Sequence, residues 1–172
     1  MAGSLHSPLL FLDVDGPLIP FGGEGPYPTY RGAGGGGNPL LARIDPGHGP
    51  RLAALPCEIV WATTWLDDAN ACVAPLLGLP SLAVVEWPEP DGAEDGVEEG
   101  AEPGGLHWKT RALVARADGR PFAWVDDEIT GADRVWVAAR HPGPALLHRV
   151  DPRVGLTDGD YAALDAWLRQ WF

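Results

Sequence analysis

Apolar runs that end in polar residues punctuate this chain at intervals. Residues 8–15 read Pro-Leu-Leu-Phe-Leu-Asp-Val-Asp, residues 58–64 Glu-Ile-Val-Trp-Ala-Thr-Thr, residues 81–85 Ser-Leu-Ala-Val-Val and residues 121–127 Pro-Phe-Ala-Trp-Val-Asp-Asp; residues 145–150, Ala-Leu-Leu-His-Arg-Val, make a fifth run. Continuous apolarity over so short a length predicts strands buried on both faces. Between them the pattern predicts helices over residues 66–77, 107–117, 129–140 and 158–172. Thr157 caps the last of these, with Asp160 three residues on. Strands alternating with helices imply an α/β fold, a doubly wound, mostly parallel sheet of Rossmann-like kind with helices on both faces.

Two stretches break the alternation. Residues 19–50 are dense in Gly and Pro and include the run Gly34-Gly-Gly-Gly37, with residues 33–38 a candidate for disorder. Residues 86–105 are dense in Asp, Glu, Gly and Pro. Both are expected to be loops: the first, directly after an acidic pair, a minimal lid or substrate-binding segment, the second a solvated acidic loop. The length suits one domain over residues 1–172, and 45% apolar residues with eight Trp supply enough buriable area for a core.

Charge and cysteine content narrow the classes of function. A formal charge of -12 argues against a generally basic surface for nucleic acid or anionic membrane, without excluding a local patch. No long apolar run predicts a signal peptide or membrane span. Cys57 and Cys72, the only cysteines, lack metal-ligand spacing and fit a reduced, cytoplasmic protein in which they are ordinary buried or helix-face residues.

In a doubly wound sheet ligands bind beyond the carboxyl ends of the strands. Asp13 and Asp15 close the first run, Thr63 the second, and Asp126 and Asp127 the fourth. Carboxylates gathered at one edge repel one another unless a cation neutralises them, and magnesium, which takes few carboxylates and leaves room for a phosphate oxygen, fits that need. The chemistry predicted is phosphoryl transfer. One member of the Asp13/Asp15 pair can attack while the other carries the proton, the turn at Gly16 aiming the second toward a leaving group. Thr63 offers a hydroxyl, and Lys109 a mobile positive charge, for phosphoryl oxygens.

The order Asp13-Val-Asp15-Gly-Pro-Leu after an apolar strand, then Thr63, then Lys109, then Trp124-Val-Asp126-Asp127, resembles the four motifs of the haloacid dehalogenase superfamily over residues 9–127. Residues 61–70 and 151–157 are similar to small stand-alone members from high-GC bacteria, relatives of domains in RNA-repair proteins. The resemblance implies a magnesium-dependent phosphatase with an aspartyl-phosphate on Asp13 and acid/base work by Asp15. It also implies phosphate binding by Thr63 and Lys109, and metal held by Asp13, the Asp15 carbonyl and Asp126 or Asp127. Pro17 stands where the family more often has Thr, which fixes the turn and removes one backbone N–H. No segment looks like a large cap domain, so the site is expected to be open and its phosphorylated substrate unspecified.

Each residue alone has a plainer explanation. A strand-end Asp commonly forms a turn, a strand-end Thr serves β-propensity and a helix-start Lys is usually solvated; their coincidence in one order is what carries the catalytic reading. Asp67 and Asp68 read as helix starters. The five histidines, His6, His48, His107, His141 and His148, read as surface or loop residues. Trp65 and Trp108 lie beside proposed site residues and are candidate pocket walls. A receiver-type signalling domain has a different order of motifs. The remaining rivals are a silent binding or regulatory module, against which the retained Asp15 argues, and a polynucleotide or phosphotransfer variant.

Overall fold

The computed structural model describes residues 6–30, 37–88 and 105–172. Five strands form one parallel sheet in the order β3-β2-β1-β4-β5: β1 Leu9–Leu12, β2 Glu58–Trp61, β3 Ala83–Val84, β4 Phe122–Asp126 and β5 Ala145–Arg149. The chain therefore winds outward from β1 in one direction through β3, crosses back over β1, and winds outward in the other through β4 and β5. The reversal falls between β1 and β4, where Leu12 pairs with Val125, and this is where a doubly wound sheet opens a crevice.

Both faces of the sheet are covered. Leu10, Leu12 and Val14 point to one side, where helix α1 (His48–Ala53), α2 (Ala74–Leu77) and α5 (Asp158–Leu168) pack with Leu52, Leu77, Leu164 and Leu168. Leu9 and Phe11 point to the other, where α3 (Thr110–Ala117) and α4 (Gly131–Arg140) contribute Leu113, Ala117 and Val137. The period of two along β1 divides the core in this way, and all four of its residues are fully buried. Among the described residues no folded cap domain is inserted, and no helix is long and apolar enough to cross a membrane.

Several predicted boundaries move. The helix expected over residues 66–77 starts only at Ala69, because Leu66 takes a left-handed conformation (φ 51°); its first turn, Ala69–Val73, is a π-helix that passes into α2. The last helix stops at Leu168 rather than Phe172, and α3 starts at Thr110 with Lys109 as its N-cap. Residues 19–50 are not simply a loop. They contain a 3₁₀ helix, Pro39–Arg43, with Asn38 accepting from the Leu40 N–H, and the start of α1. Pro39 and Pro50 sit in first turns, where their missing N–H is not needed. Gly49 packs so closely on the last turn of α2 that a Cβ there would lie 1.7 Å from the Leu77 carbonyl oxygen. The glycine that reads as a helix breaker is what lets the two helices meet. The predicted acidic loop falls almost wholly outside the described residues, as do residues 31–36 of the Gly-rich run.

Candidate active site

Residues at the carboxyl ends of β1 and β4 converge at the reversal of the sheet. Asp13 immediately follows β1, its N–H bonded to the Val125 carbonyl (3.1 Å), and Asp126 ends β4 with Asp127 next. Carboxylate oxygens of Asp13, Asp126 and Asp127 lie within 4.8 Å of one another, all three residues buried. Burial, with the neighbouring Asp126 charge, pushes the Asp13 carboxyl up to about 8 and Asp127 to about 6, in Asp13 against the pull of Lys109. Three carboxylates this close fit a hard cation that takes oxygen ligands, and without one burial and the neighbouring charge favour the protonated forms of Asp13 and Asp127.

Lys109 supplies part of the missing charge. It is 4% exposed, and its Nζ donates to the Ala62 carbonyl (2.9 Å) and Asp126 Oδ2 (2.8 Å) and lies 3.1 Å from Asp13 Oδ2. An ammonium has three donors, and each finds an acceptor. Burial alone would lower its pKa, but the two carboxylates outweigh it and hold Lys109 above its ordinary value. The mobile charge expected from the sequence is thus a fixed one, tying the end of β1 to the end of β4 and to the residue before Thr63.

Asp15 stands apart from this cluster. It is half-buried, and its Oδ2 accepts from the Trp65 indole N–H (3.0 Å). Gly16, at φ 96°, turns the chain immediately after it, and a Cβ on Gly16 would lie 2.8 Å from Asp127 Cγ. The loop then closes through Leu18 and Ile19, whose amides both donate to the Val14 carbonyl (3.0 Å). Pro17 sits in that turn, where its carbonyl accepts from the Leu156 N–H (2.9 Å) and its missing N–H leaves no bond of the turn broken. Thr63 is fully buried, its Oγ1 accepting from the Trp65 amide (3.3 Å). Trp65 therefore joins Thr63 to Asp15 while Lys109 joins Asp13 to Asp126.

The wall beside Lys109 is aromatic. Trp108 meets Trp87 edge to face at 4.8 Å, and Lys109 Nζ lies 5.6 Å from the Trp108 ring centre. Of the surface-or-loop reading of His107 only the loop half holds: it precedes α3 but is buried, its Nδ1 accepts from the Lys109 amide (3.1 Å), and its Nε2 lies 3.0 Å from Glu128 Oε2. His141 is likewise buried. Nδ1 of His107, as an acceptor, is unprotonated, so Nε2 carries the proton and donates it to Glu128. His107, Asp126 and Glu128 are close enough to hold a metal, but in this tautomer the histidine is occupied as a support for Lys109.

Asp133 is the residue that sequence reasoning missed. It is fully buried, and its two oxygens accept from the His107 N–H (2.8 Å), Thr110 Oγ1 (2.7 Å), the Thr130 N–H (2.7 Å) and Thr130 Oγ1 (2.8 Å). Those four hydrogen bonds hold its carboxyl below the usual range despite burial. The signal was present, since Thr130-x-x-Asp133 is the same capping spacing as Thr157-x-x-Asp160. The cysteines show no chemistry: both are free, and burial pushes the Cys57 thiol up to about 12. No family model, curated protein or solved structure matches the chain.

Proposed function

We propose that this chain is a magnesium-dependent phosphatase that works through an aspartyl-phosphate on Asp13, in the manner of the haloacid dehalogenase superfamily that its motifs resemble. The observation that carries the reading is the gathering of Asp13, Asp126 and Asp127 within 4.8 Å at the reversal of the sheet, with Asp15 two residues beyond the first. Asp13, Asp126 and Asp127 are the side chains that would hold magnesium. When bound, the ion draws off negative charge from the transferred phosphoryl group.

The chain's own groups supply the remaining steps. A carboxylate oxygen of Asp13 attacks phosphorus, forming an O–P bond while the bond to the leaving oxygen breaks. Asp15, in its acid form, gives that oxygen its proton and releases an alcohol. Asp15 then takes a proton from water as the water oxygen attacks the same phosphorus, the Asp13 O–P bond breaks, and inorganic phosphate leaves. Lys109, which without metal ties Asp13 to Asp126, offers its charge at the transferred group. The Trp65 indole steadies Asp15 between its two tasks.

Hydrolysis of p-nitrophenyl phosphate, with and without magnesium, tests the proposal. Wild type is expected to turn over only with metal, and Asp13→Asn to lose about a thousandfold or more in kcat with its circular dichroism unchanged. Asp15→Asn is expected to lose about a hundred- to ten-thousandfold. Full activity in Asp13→Asn would rule out the nucleophile. If wild type binds metal and a phosphate analogue without turnover, the chain is instead a binding module of the same fold.

A further inference from the structure

A pocket of about 610 Å³ opens beside the candidate active site, on the far side of the Gly16–Pro17 turn. That size suits a small molecule. Its lining brings Arg43, Arg51 and Arg153 together from three separate segments, with Tyr27 and His48. Three of the chain's few cations thus gather at one hollow in a protein whose formal charge is -12.

The walls are tied together before any ligand arrives. The Phe21 N–H donates to the Pro152 carbonyl (2.8 Å), Tyr30 N–H to Ala42 (2.8 Å) and Leu156 N–H to Pro17 (2.9 Å). Arg43 Nη1 donates to the Pro20 carbonyl (2.9 Å), and its guanidinium carbon lies over the Tyr27 ring, 4.7 Å from the ring centre. The Tyr27 hydroxyl in turn accepts from the Gly23 N–H (2.6 Å). Arg43 uses one of its five N–H groups in its bond to Pro20, which leaves others to offer. Arg51 lies over the Tyr161 ring at 4.1 Å, and Tyr161 shares a hydrogen bond with His48 Nδ1 (2.8 Å).

Two carboxylates also line the hollow, and neither closes it to an anion. A hydrogen bond from the Gly47 N–H (2.8 Å) does not cancel the charge of Asp45, but the three arginines of the lining outnumber its two carboxylates. Asp158 pairs with Arg51, but its side chain is 93% exposed, and an ion pair so open to water is weak enough for a ligand to displace. Arg153 pairs with Asp151 through two hydrogen bonds (3.0 and 2.9 Å), a firmer pair that leaves its remaining N–H groups to offer.

We infer that this pocket holds a second anionic group of the substrate, a phosphate or a carboxylate, while its phosphoryl group reacts at Asp13. The inference rests on the phosphatase reading for what happens at Asp13, but not for the pocket's affinity for anions. Asp13 and Pro17 are four residues apart, so their Cα atoms lie within about 15 Å at most, and the turn through Val14 and Leu18 brings them closer. A small doubly anionic molecule can span the two places.

Metal-free protein isolates the pocket, because without a cation the three carboxylates repel an anion and Lys109 is already engaged. Calorimetric titration with pyrophosphate and with tricarballylate separates a phosphate from a carboxylate preference. Wild type is expected to bind at least one of them, and Arg51→Gln and Arg43→Gln each to weaken it by about tenfold. Arg51 is a surface residue, so its variant keeps the fold even if Arg43→Gln does not. No binding by wild type, or equal affinity in Arg51→Gln, would overturn the inference. Anion binding without turnover of p-nitrophenyl phosphate or of any doubly anionic phosphate monoester would retain the pocket and refute the phosphatase; turnover without anion binding would do the reverse.

Discussion

Asp13 and Asp15 are two residues apart and chemically alike, yet their surroundings separate them. Asp13 is 7% exposed and locked against Lys109, whereas Asp15 is half-buried with one oxygen on the Trp65 indole. In the proposed mechanism one attacks and the other exchanges protons. Trp65→Phe keeps most of the ring and removes the N–H, so Asp15 is expected to lose its fixed orientation: kcat should fall about tenfold with a displaced pH profile, while KM changes little. An unchanged profile would show that the indole is only a wall. Asp13, Asp126 and Asp127 were legible in the sequence because acidic residues are conspicuous at the end of an apolar run, and Lys109 because it stands at the start of a helical segment. The fixed state of Lys109 was not, since three acceptors from β1, β4 and the residue before Thr63 meet only when the chain is folded. His107 was unreadable for the same reason: nothing in its neighbours along the chain announces that Glu128 and the Lys109 amide will satisfy both ring nitrogens.

At the scale of elements, the strands were read well because buried parallel strands have an unmistakable apolar run. Helices were read less well because their ends depend on contacts. The start of α3 is fixed from outside, by Asp133 on the first turn of α4, which accepts from His107, Thr110 and Thr130. This makes the two helices on that face of the sheet one unit, and Lys109 sits at its junction. Asp133→Ala leaves several buried donors without acceptors and removes half of the capping box of α4, so a loss of about 3 kcal/mol or more is expected in denaturant unfolding. Because the start of α3 also carries Lys109, activity should fall by more than the loss of folded protein explains. Asp133→Asn, which retains one oxygen, is expected to lie between. α1 was missed by the opposite error, its Gly49 and Pro50 being read as breakers when one makes the contact with α2 and the other lies in the first turn.

For the whole molecule, the order β3-β2-β1-β4-β5 places the proposed chemistry at one end of the sheet, on the last residue of β4 and on the connections beyond the strands. That end carries a cost that depends on pH. Asp13 is raised from its ordinary 3.8 to about 8 and Asp127 to about 6, so folding favours their protonated forms. The stability they contribute is complete at acid pH and is lost as the pH rises through those values. Metal-free protein is therefore expected to melt at lower temperature as pH rises from about 5 to about 8, and added magnesium to reverse the fall while releasing protons. A melting temperature that does not respond to magnesium near pH 8 would count against the three carboxylates as its site. Lys109 gives this its character. At the proposed magnesium site an ion would not fill an empty seat; it would have to unseat a tenant already bound to Asp13 and Asp126. Loading is then an exchange, which singly charged ions such as sodium, offering no more charge than the ammonium they would replace, are poorly equipped to win.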